Sequence, residues 1–433
     1  MAKATPNGHR RVAIVNGLRT PFVKAASVFA ELTALDLGRI VVQELLQRSE
    51  LDPAEIDSVV FGQVIPGLTA ASIAREVVLA AGLPRKIEAY TVARACATSV
   101  QALVNAGNAI ALGQSDVAIA GGTESMSDPP IFTSRPLAHA LAESSRARTL
   151  AARVKPFQKL SPKDLIPVPP AIAEYSTGLT MGESAEKMAK ENGITRKEQD
   201  EIALASHQNA ARAWKAGVFD AEVMHVPVPP KYSTIADKDN IVREDTSLDA
   251  LGALKPVFDR KYGSVTAGNA SPLTDGAAAL LVMSEEKAKA LGYTPLGYLR
   301  AHAFAATDPA DQLLQGPAYA APIALDRAGM TLKDIDLVDM HEAFAAQVAS
   351  NLQALASKTF AEKLGRKAPV GEVDRAKLNV NGGSIALGHP FAATGARIVH
   401  QVLRELKRRD LGTALVTVCA QGGLGAAVVL ERA

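Results

Sequence analysis

Two cysteines and two histidines in distinctive settings carry the chemistry legible in this chain. Cys96 lies in Thr91-Val92-Ala93-Arg94-Ala95-Cys96-Ala97-Thr98-Ser99, where a strand-like stretch passes through small residues into an apolar helical run. A cysteine at the start of a helix faces the positive end of its dipole, which favours the thiolate. The thiolate is the form that covalent catalysis needs. The alternative is a small buried hydrophobe. Cys419 lies in Thr417-Val418-Cys419-Ala420-Gln421-Gly422-Gly423-Leu424-Gly425, at the end of a strand and before a glycine-rich turn. Glycines let backbone N–H groups approach a ligand closely, and such groups stabilise a developing oxyanion. A thiol there can act as acid or base if its pKa falls near the working pH. The alternative is a core cysteine beside a structural turn.

His389 sits in Asn381-Gly382-Gly383-Ser384-Ile385-Ala386-Leu387-Gly388-His389-Pro390. Pro390 stiffens the backbone after the ring, and Ala393-Thr394-Gly395 opens another helix. His341 sits in Met340-His341-Glu342-Ala343-Phe344-Ala345, after the strand 335–338. A further run of small residues, Ala267-Gly268-Asn269-Ala270-Ser271-Pro272-Leu273-Thr274-Asp275-Gly276, reads either as a ligand loop or as an ordinary turn. There is no CxxC and no Cys/His pair close in sequence, which argues against zinc. A Walker loop and a strand-linked GxGxxG are also absent.

These groups need elements to position them. Val12 to Val15 reads as a strand, Leu35 to Gln47 as a helix, and Val59 to Phe61 as a strand ended by Gly62. Val100 to Leu112 is apolar almost all round, which predicts a fully buried helix, with Gly113 at its C-cap. Val117 to Ala120 then reads as a strand closed by Gly121 and Gly122. Alternating strands and helices predict an α/β layered fold. The middle, rich in proline and charge, reads as an insertion with one clear helix, Arg196 to Ala216. Glu55-Ile56-Asp57-Ser58-Val59-Val60 echoes Lys333-Asp334-Ile335-Asp336-Leu337-Val338, and the helix–strand–Gly-Gly run ending at Gly122 echoes that ending at Gly423. Two copies of one α/β unit follow. The duplication places Cys96, His389 and Cys419 at equivalent ends of the two sheets, where α/β folds commonly hold ligands. Two thiols, two histidines and glycine turns gathered there suit acyl transfer through a thioester.

Composition narrows the function classes. The chain has 433 residues, enough for two or three domains. Lys and Arg number 47 against 45 Asp and Glu, so no whole-molecule field attracts a polyanion. Aromatics are 4%, too few for base-stacking platforms, and nucleic acid is not expected as a partner. No run approaches the ~18 apolar residues of a membrane span. The polar N-terminus lacks the core of a secretory signal, and two thiols make no disulfide framework. A cytoplasmic location is expected, a mitochondrial matrix protein shorn of its presequence being the alternative. Arg135, Arg146, Arg148, Arg153, Lys155, Lys159 and Lys163 interleave with Leu137, Leu141, Leu150 and Phe157. That stretch reads as a surface for a partner subunit, a membrane or the phosphates of a ligand, or else as a solvated loop.

Taken in order, the Cys96 block, Ala120-Gly121-Gly122-Thr123-Glu124-Ser125-Met126, the 267–276 run, His341 to Ala345, and the His389 and Cys419 blocks resemble those of the thiolase family. The resemblance extends from about Arg11 to Glu431. It implies a five-layered αβαβα fold of two similar halves: 1–124 plus 256–290, an inserted loop domain 125–255, and 291–433. It implies Cys96 as the acylated nucleophile, His389 as its activator and as a group that helps hold the thioester oxygen, and Cys419 as the acid/base at the α-carbon of acetyl-CoA. Ser271 would contact the pantetheine arm, with Gly423 and Met181 also at the substrate. Backbone N–H groups of Cys96 and of the turn after Cys419 would form the second oxyanion hole. His341 stands where most thiolases carry Asn, which holds a water in the first oxyanion hole. Gln421 replaces a glycine, Ala93 a small polar residue, and Thr180 a histidine found near the acyl group of short-chain members. The His341-Glu342-Ala343-Phe344-Ala345 and His389-Pro390-Phe391 forms resemble the thiolase subunit of trifunctional fatty-acid β-oxidation complexes. The expected reaction is thiolysis of 3-ketoacyl-CoA, with coenzyme A as co-substrate and no permanently bound cofactor. A homodimer or homotetramer, and a hydratase/dehydrogenase partner subunit, are implied. The alternatives are a biosynthetic acetoacetyl-CoA thiolase and a non-catalytic lipid-binding scaffold of the same fold.

Overall fold

Strands that carry unbroken runs of small and aliphatic residues must be covered on both faces. The computed structural model describes residues 9–170 and 173–433, so most of the N-terminal stretch lies outside the described residues. The chain first forms β1 (Val12–Arg19), β2 (Val23–Lys24), α1 (Ala34–Ser49), β3 (Ser58–Gly62), α2 (Ile73–Ala80), β4 (Glu88–Val92), α3 (Thr98–Ala111) and β5 (Val117–Glu124). Next come α4 (Arg135–Arg146), α5 (Leu150–Val154), α6 (Met181–Glu191), α7 (Arg196–Lys215), β6 (Val226–Val228), β7 (Thr234–Ala236) and α8 (Leu248–Gly252). It continues through β8 (Thr274–Ser284), α9 (Glu285–Ala290), β9 (Gly297–Ala306), α10 (Gly316–Ala328) and β10 (Leu337–Met340). The remainder is α11 (Ala345–Ala356), α12 (Lys358–Lys363), α13 (Ser384–Leu387), α14 (Thr394–Arg409), β11 (Thr413–Ala420) and β12 (Leu424–Arg432).

The main strands pair in the order β10-β11-β12-β9-β1-β8-β5-β3-β4, with β2 beside β8. From β3 the pairings run parallel to β5, antiparallel to β8 and antiparallel to β1. From β10 they run parallel to β11, antiparallel to β12 and antiparallel to β9. The second series repeats the first, so the sequence echo reflects a duplicated unit. The two meet where Ala13 and Ile14 of β1 face Tyr298 and Gly297 of β9.

Three apolar clusters set the layers. Leu37, Val41 and Leu45 of α1 and Val77 of α2 cover one face of the first half. Leu103 and Ile110 of α3 pack with Val399 and Leu406 of α14 between the halves. Ala321 and Leu325 of α10 and Val348 and Leu352 of α11 cover the far face. This is the five-layered αβαβα arrangement, and it puts α3 and α14, which follow Cys96 and His389, side by side in the middle.

Two local expectations differ from the structure. The strand expected to close at Gly121 runs on through both glycines to Glu124. The glycines serve close approach: a Cβ on Gly121 would lie 2.3 Å from the Ala278 carbonyl oxygen, and one on Gly122 would lie 2.2 Å from that of Ala392. The helix expected to be wholly buried is covered along most of its length, but Leu112 at its end is 61% exposed. Gly113 follows it at φ +74°, the left-handed conformation that ends helices.

Between β5 and β8 the chain forms helices and the separate hairpin β6–β7. Its anchor is electrostatic. The fully buried Arg19, at the end of β1, pairs with Glu222 at 2.9 Å and with both oxygens of Asp239 at 2.6 and 2.9 Å. Among the described residues no helix is long and apolar enough to cross a membrane.

Candidate active site

The bend between β4 and α3 is built tightly around Ala95, which takes φ +43°, a left-handed conformation costly for a residue with a Cβ. Thr98 holds the bend: its hydroxyl accepts from the Arg94 N–H at 2.8 Å and donates to the Ala95 carbonyl at 2.7 Å. Cys96 emerges half-buried from this bend, just ahead of α3. The opposing wall comes from the second half. Gly388 takes φ +102°, and a Cβ there would lie 2.8 Å from Thr274 and Ile241. His389 then donates its backbone N–H to the Thr274 hydroxyl at 2.6 Å.

Across the junction, His389 Nε2 lies 3.1 Å from Cys96 Sγ, and its Nδ1 lies 2.6 Å from the Thr394 hydroxyl. The His341 and His389 ring centroids are 4.1 Å apart. His341 Nδ1 lies 2.9 Å from Ser384 Oγ. Its Nε2 is buried without a protein partner. Cys419, fully buried at the end of β11, interacts electrostatically with Cys96 and receives the Ala343 backbone N–H.

Burial decides the protonation states. It pushes the Cys96 thiol up to about 12, against the N–H groups of Gln421 and of Cys96 itself, and Glu124 pushes in the same direction as burial. The thiolate expected from the helix terminus is therefore not the resting form, because desolvation outweighs the dipole. Burial, helped by Arg397, brings His389 down to about 3. His341 falls well below its ordinary value through burial, then His389 and Arg397. Cys419 rises well above the usual thiol range through burial, then Cys96. The resting site is a neutral thiol beside a neutral imidazole.

The turn after Cys419 resolves the departure at Gln421. The left-handed conformations fall on Gly422 (φ +87°) and Gly423 (φ +70°), and Gln421 keeps an ordinary φ with its N–H toward Cys96. A Cβ on Gly423 would lie 2.3 Å from the Thr307 carbonyl oxygen. Ser271 is half-buried, its N–H bonded at 2.9 Å to the carbonyl of Ala343, two residues after His341. Met181 opens α6 and packs on the cluster that contains Cys419. Thr180, expected near the acyl group, uses its hydroxyl as the N-cap of α6 in a capping box with Glu183.

Sequence reasoning overlooked the residues behind the histidines. Buried Glu342 accepts from Ser206 (2.6 Å), Asn379 (2.5 Å) and the Ile385 N–H (3.2 Å), tying α7 and α13 to the His341 loop. Its neighbour Gly383 has no room for a side chain, since a Cβ would lie 2.2 Å from the Glu342 carboxyl carbon. Ser384, Thr394 and the fully buried Arg397 support the two rings. Ser384 and Thr394 lie in or beside the motif around His389. Arg397 carried no signal beyond a charge on an otherwise inward-facing helix stripe. Folding also gathers a Cys/His cluster that spacing did not show: donor atoms of Cys96, His341 and His389 lie within 4.8 Å of one another.

Known proteins resemble this chain over nearly its whole length. Residues 12–286 match the family model described as Thiolase, N-terminal domain, and residues 293–432 match Thiolase, C-terminal domain. A Shewanella pealeana protein named 3-ketoacyl-CoA thiolase is 56% identical over 422 residues, 97% of each chain. The crystal structure of the Bacillus anthracis acetyl-CoA acetyltransferase superposes with a TM-score of 0.85 at 34% identity, covering 98% of this chain and 99% of that one. That of human mitochondrial 3-ketoacyl-CoA thiolase in complex with CoA superposes with a TM-score of 0.82 at 32% identity, covering 98% of each.

Proposed function

The chain belongs to the thiolase family, and from that premise we propose that it cleaves 3-ketoacyl-CoA with coenzyme A, releasing acetyl-CoA and a shortened acyl-CoA. It is an acyltransferase, with coenzyme A as co-substrate. The observation that carries the mechanism is the 3.1 Å approach of His389 Nε2 to Cys96 Sγ. His389 takes the thiol proton as the sulfur attacks the 3-keto carbon. The C2–C3 bond breaks, its electron pair passing to C2, and Cys419 gives its proton to that carbon. Acetyl-CoA leaves with the acyl group on Cys96. Coenzyme A then enters, gives its thiol proton to the Cys419 thiolate and attacks the acyl carbon. Cys96 departs and recovers its proton from His389. Splitting the reaction this way predicts ping-pong kinetics.

In this reading the His341 side chain faces the thioester oxygen as the first oxyanion hole. The N–H groups of Cys96 and of the Gln421–Gly423 turn form the second, supported by the Gln421 N–H directed at the sulfur. Ser271 and Met181 line the approach of the acyl-CoA, supported by their packing around Ala343 and Cys419. The halves 1–124 plus 256–290 and 291–433, with 125–255 inserted, are the proposed domains. β4 ends the sheet as an open edge with alternate residues uncovered, which supports pairing with a second copy. The basic insertion exposes Leu150 (79%) and Ile166 (60%) near Arg153 and Lys163, which supports docking of a hydratase/dehydrogenase subunit. A cytoplasmic location is in keeping with the bacterial source of the relative.

The test is thiolysis of acetoacetyl-CoA and of a sixteen-carbon 3-ketoacyl-CoA at saturating coenzyme A, followed by loss of the ketoacyl-CoA absorbance. Faster cleavage of the long substrate is expected. Cleavage of acetoacetyl-CoA alone would move the chain to the short-chain biosynthetic role, and cleavage of neither would overturn the proposal.

A further inference from the structure

We propose that Ser384 and Arg397 form a relay that fixes His341 as its Nε2–H tautomer, so that the ring offers the thioester oxygen a hydrogen-bond donor and withholds a lone pair. The inference rests on the placement of His341 at that oxygen given above.

The argument is one of hydrogen-bond inventory. A guanidinium has donors only. Arg397 Nη2 donates to Ser384 Oγ at 2.8 Å, so the serine oxygen is the acceptor of that bond. The serine hydrogen then has one recorded partner left, His341 Nδ1 at 2.9 Å. If Nδ1 carried the ring proton, the serine oxygen would accept twice and its own hydrogen would be stranded in a buried site, the more costly arrangement. Nδ1 therefore accepts, and the proton of the neutral ring sits on Nε2. That nitrogen is the one buried without a protein partner.

The neighbouring ring shows the opposite wiring. Thr394 Oγ1 lies 2.6 Å from His389 Nδ1 and 3.5 Å from the Pro390 carbonyl, which can only accept. Thr394 donates to that carbonyl and accepts from Nδ1–H, which leaves the Nε2 lone pair facing Cys96 Sγ. Two imidazoles 4.1 Å apart thus hold opposite tautomers, one a base and one a donor. Arg397 is itself held: its Nη1 reaches Gln401 at 3.4 Å, and the carboxylates of Asp339, Glu222 and Glu342 surround it electrostatically. Since a metal ion needs the lone pair that Nε2–H lacks, the relay also removes His341 from the Cys/His donor set.

Ser384 and Arg397 act through the His341 ring and are positioning residues. The test uses full-length enzyme labelled with 15N in its histidine rings, with the His341→Asn variant assigning the His341 signals. The expected spectrum has the proton on Nε2 and a bare Nδ1 in the wild type, retained in Ser384→Thr and lost in Ser384→Ala. A proton on Nδ1 in the wild type overturns the proposal, whatever the enzyme's substrate proves to be. In kinetics, Ser384→Ala should lower kcat about tenfold or more with KM for coenzyme A unchanged, and Ser384→Thr should restore it. In a His341→Asn background the same Ser384→Ala change should have under about a twofold effect. An equal loss in both backgrounds would mean that Ser384 acts by some other route.

Discussion

A thiol and an imidazole 3.1 Å apart can exchange a proton on demand while both stay uncharged at rest. With His389 brought down to about 3 and Cys96 up to about 12, neither group titrates near neutrality. Acetylation of the free enzyme by acetyl-CoA, read as acetyl-enzyme formed in a single turnover, should therefore be flat between about pH 5 and pH 9. A limb near the ordinary imidazole value would show that His389 titrates freely. Replacing Cys96 by Ser swaps the sulfur for a far weaker nucleophile, and turnover should drop at least about a thousandfold. Retention of a tenth of the wild-type rate would remove Cys96 from the mechanism. His207, on α7, gives a stability readout. Burial and Arg243 lower it to about 4, and its Nδ1 accepts the Arg243 N–H. Below its ordinary value the unfolded chain takes up a proton that the folded chain refuses, so this contribution is lost as pH falls from about 6.5 toward 4. His207→Gln cannot titrate. By pH 5 it should be spared about 2 kcal/mol of the wild type's loss relative to pH 7, measured by urea unfolding. At this scale the sequence singled out side chains that the fold brings together, because their neighbours in the chain are unusual. It did not show their charge, because a helix dipole is visible in sequence while the depth of burial that overrides it is not.

The elements around the site work through turns that leave no room. Gly423 holds φ +70° with the Thr307 carbonyl where a Cβ would go, and the Thr307 N–H returns to the Gly423 carbonyl at 2.7 Å. Gly423→Ala should cost about 1–3 kcal/mol in chemical unfolding and move the Gln421 N–H off the sulfur. Its kcat should fall well beyond what the fraction still folded accounts for. Unchanged kcat would separate this turn from the oxyanion. The glycine pairs were legible as special but were read wrongly at Gly121 and Gly122, where a punctuation mark was expected and a crowded strand was found. A glycine that ends a strand and one that admits a neighbouring backbone look alike until the neighbour is placed. The first strand's boundaries suffered likewise, since periodicity stopped at Val15 while pairing with β8 carries β1 to Arg19.

For the whole molecule, duplication was the informative signal. Short echoes around Ile56 and Ile335 sufficed to predict two α/β units, because each copy must present the same apolar faces to the same kinds of layer. The contacts that tie the segment between β5 and β8 to β1 were illegible, since Arg19 sits some two hundred positions from its partners. Removing the arginine leaves two buried carboxylates, Glu222 and Asp239, without their counter-charge. Arg19→Met should therefore cost about 3–5 kcal/mol, read from the urea midpoint and slope. A change under about 1 kcal/mol would show that the ion cluster is solvated. The same clamp bears on how such chains can be recombined. A chimera that exchanges 125–255 for the corresponding segment of another thiolase must bring matching carboxylates to the arginine at the end of β1. Otherwise the exchange strands the host's own buried cation without its counter-charges.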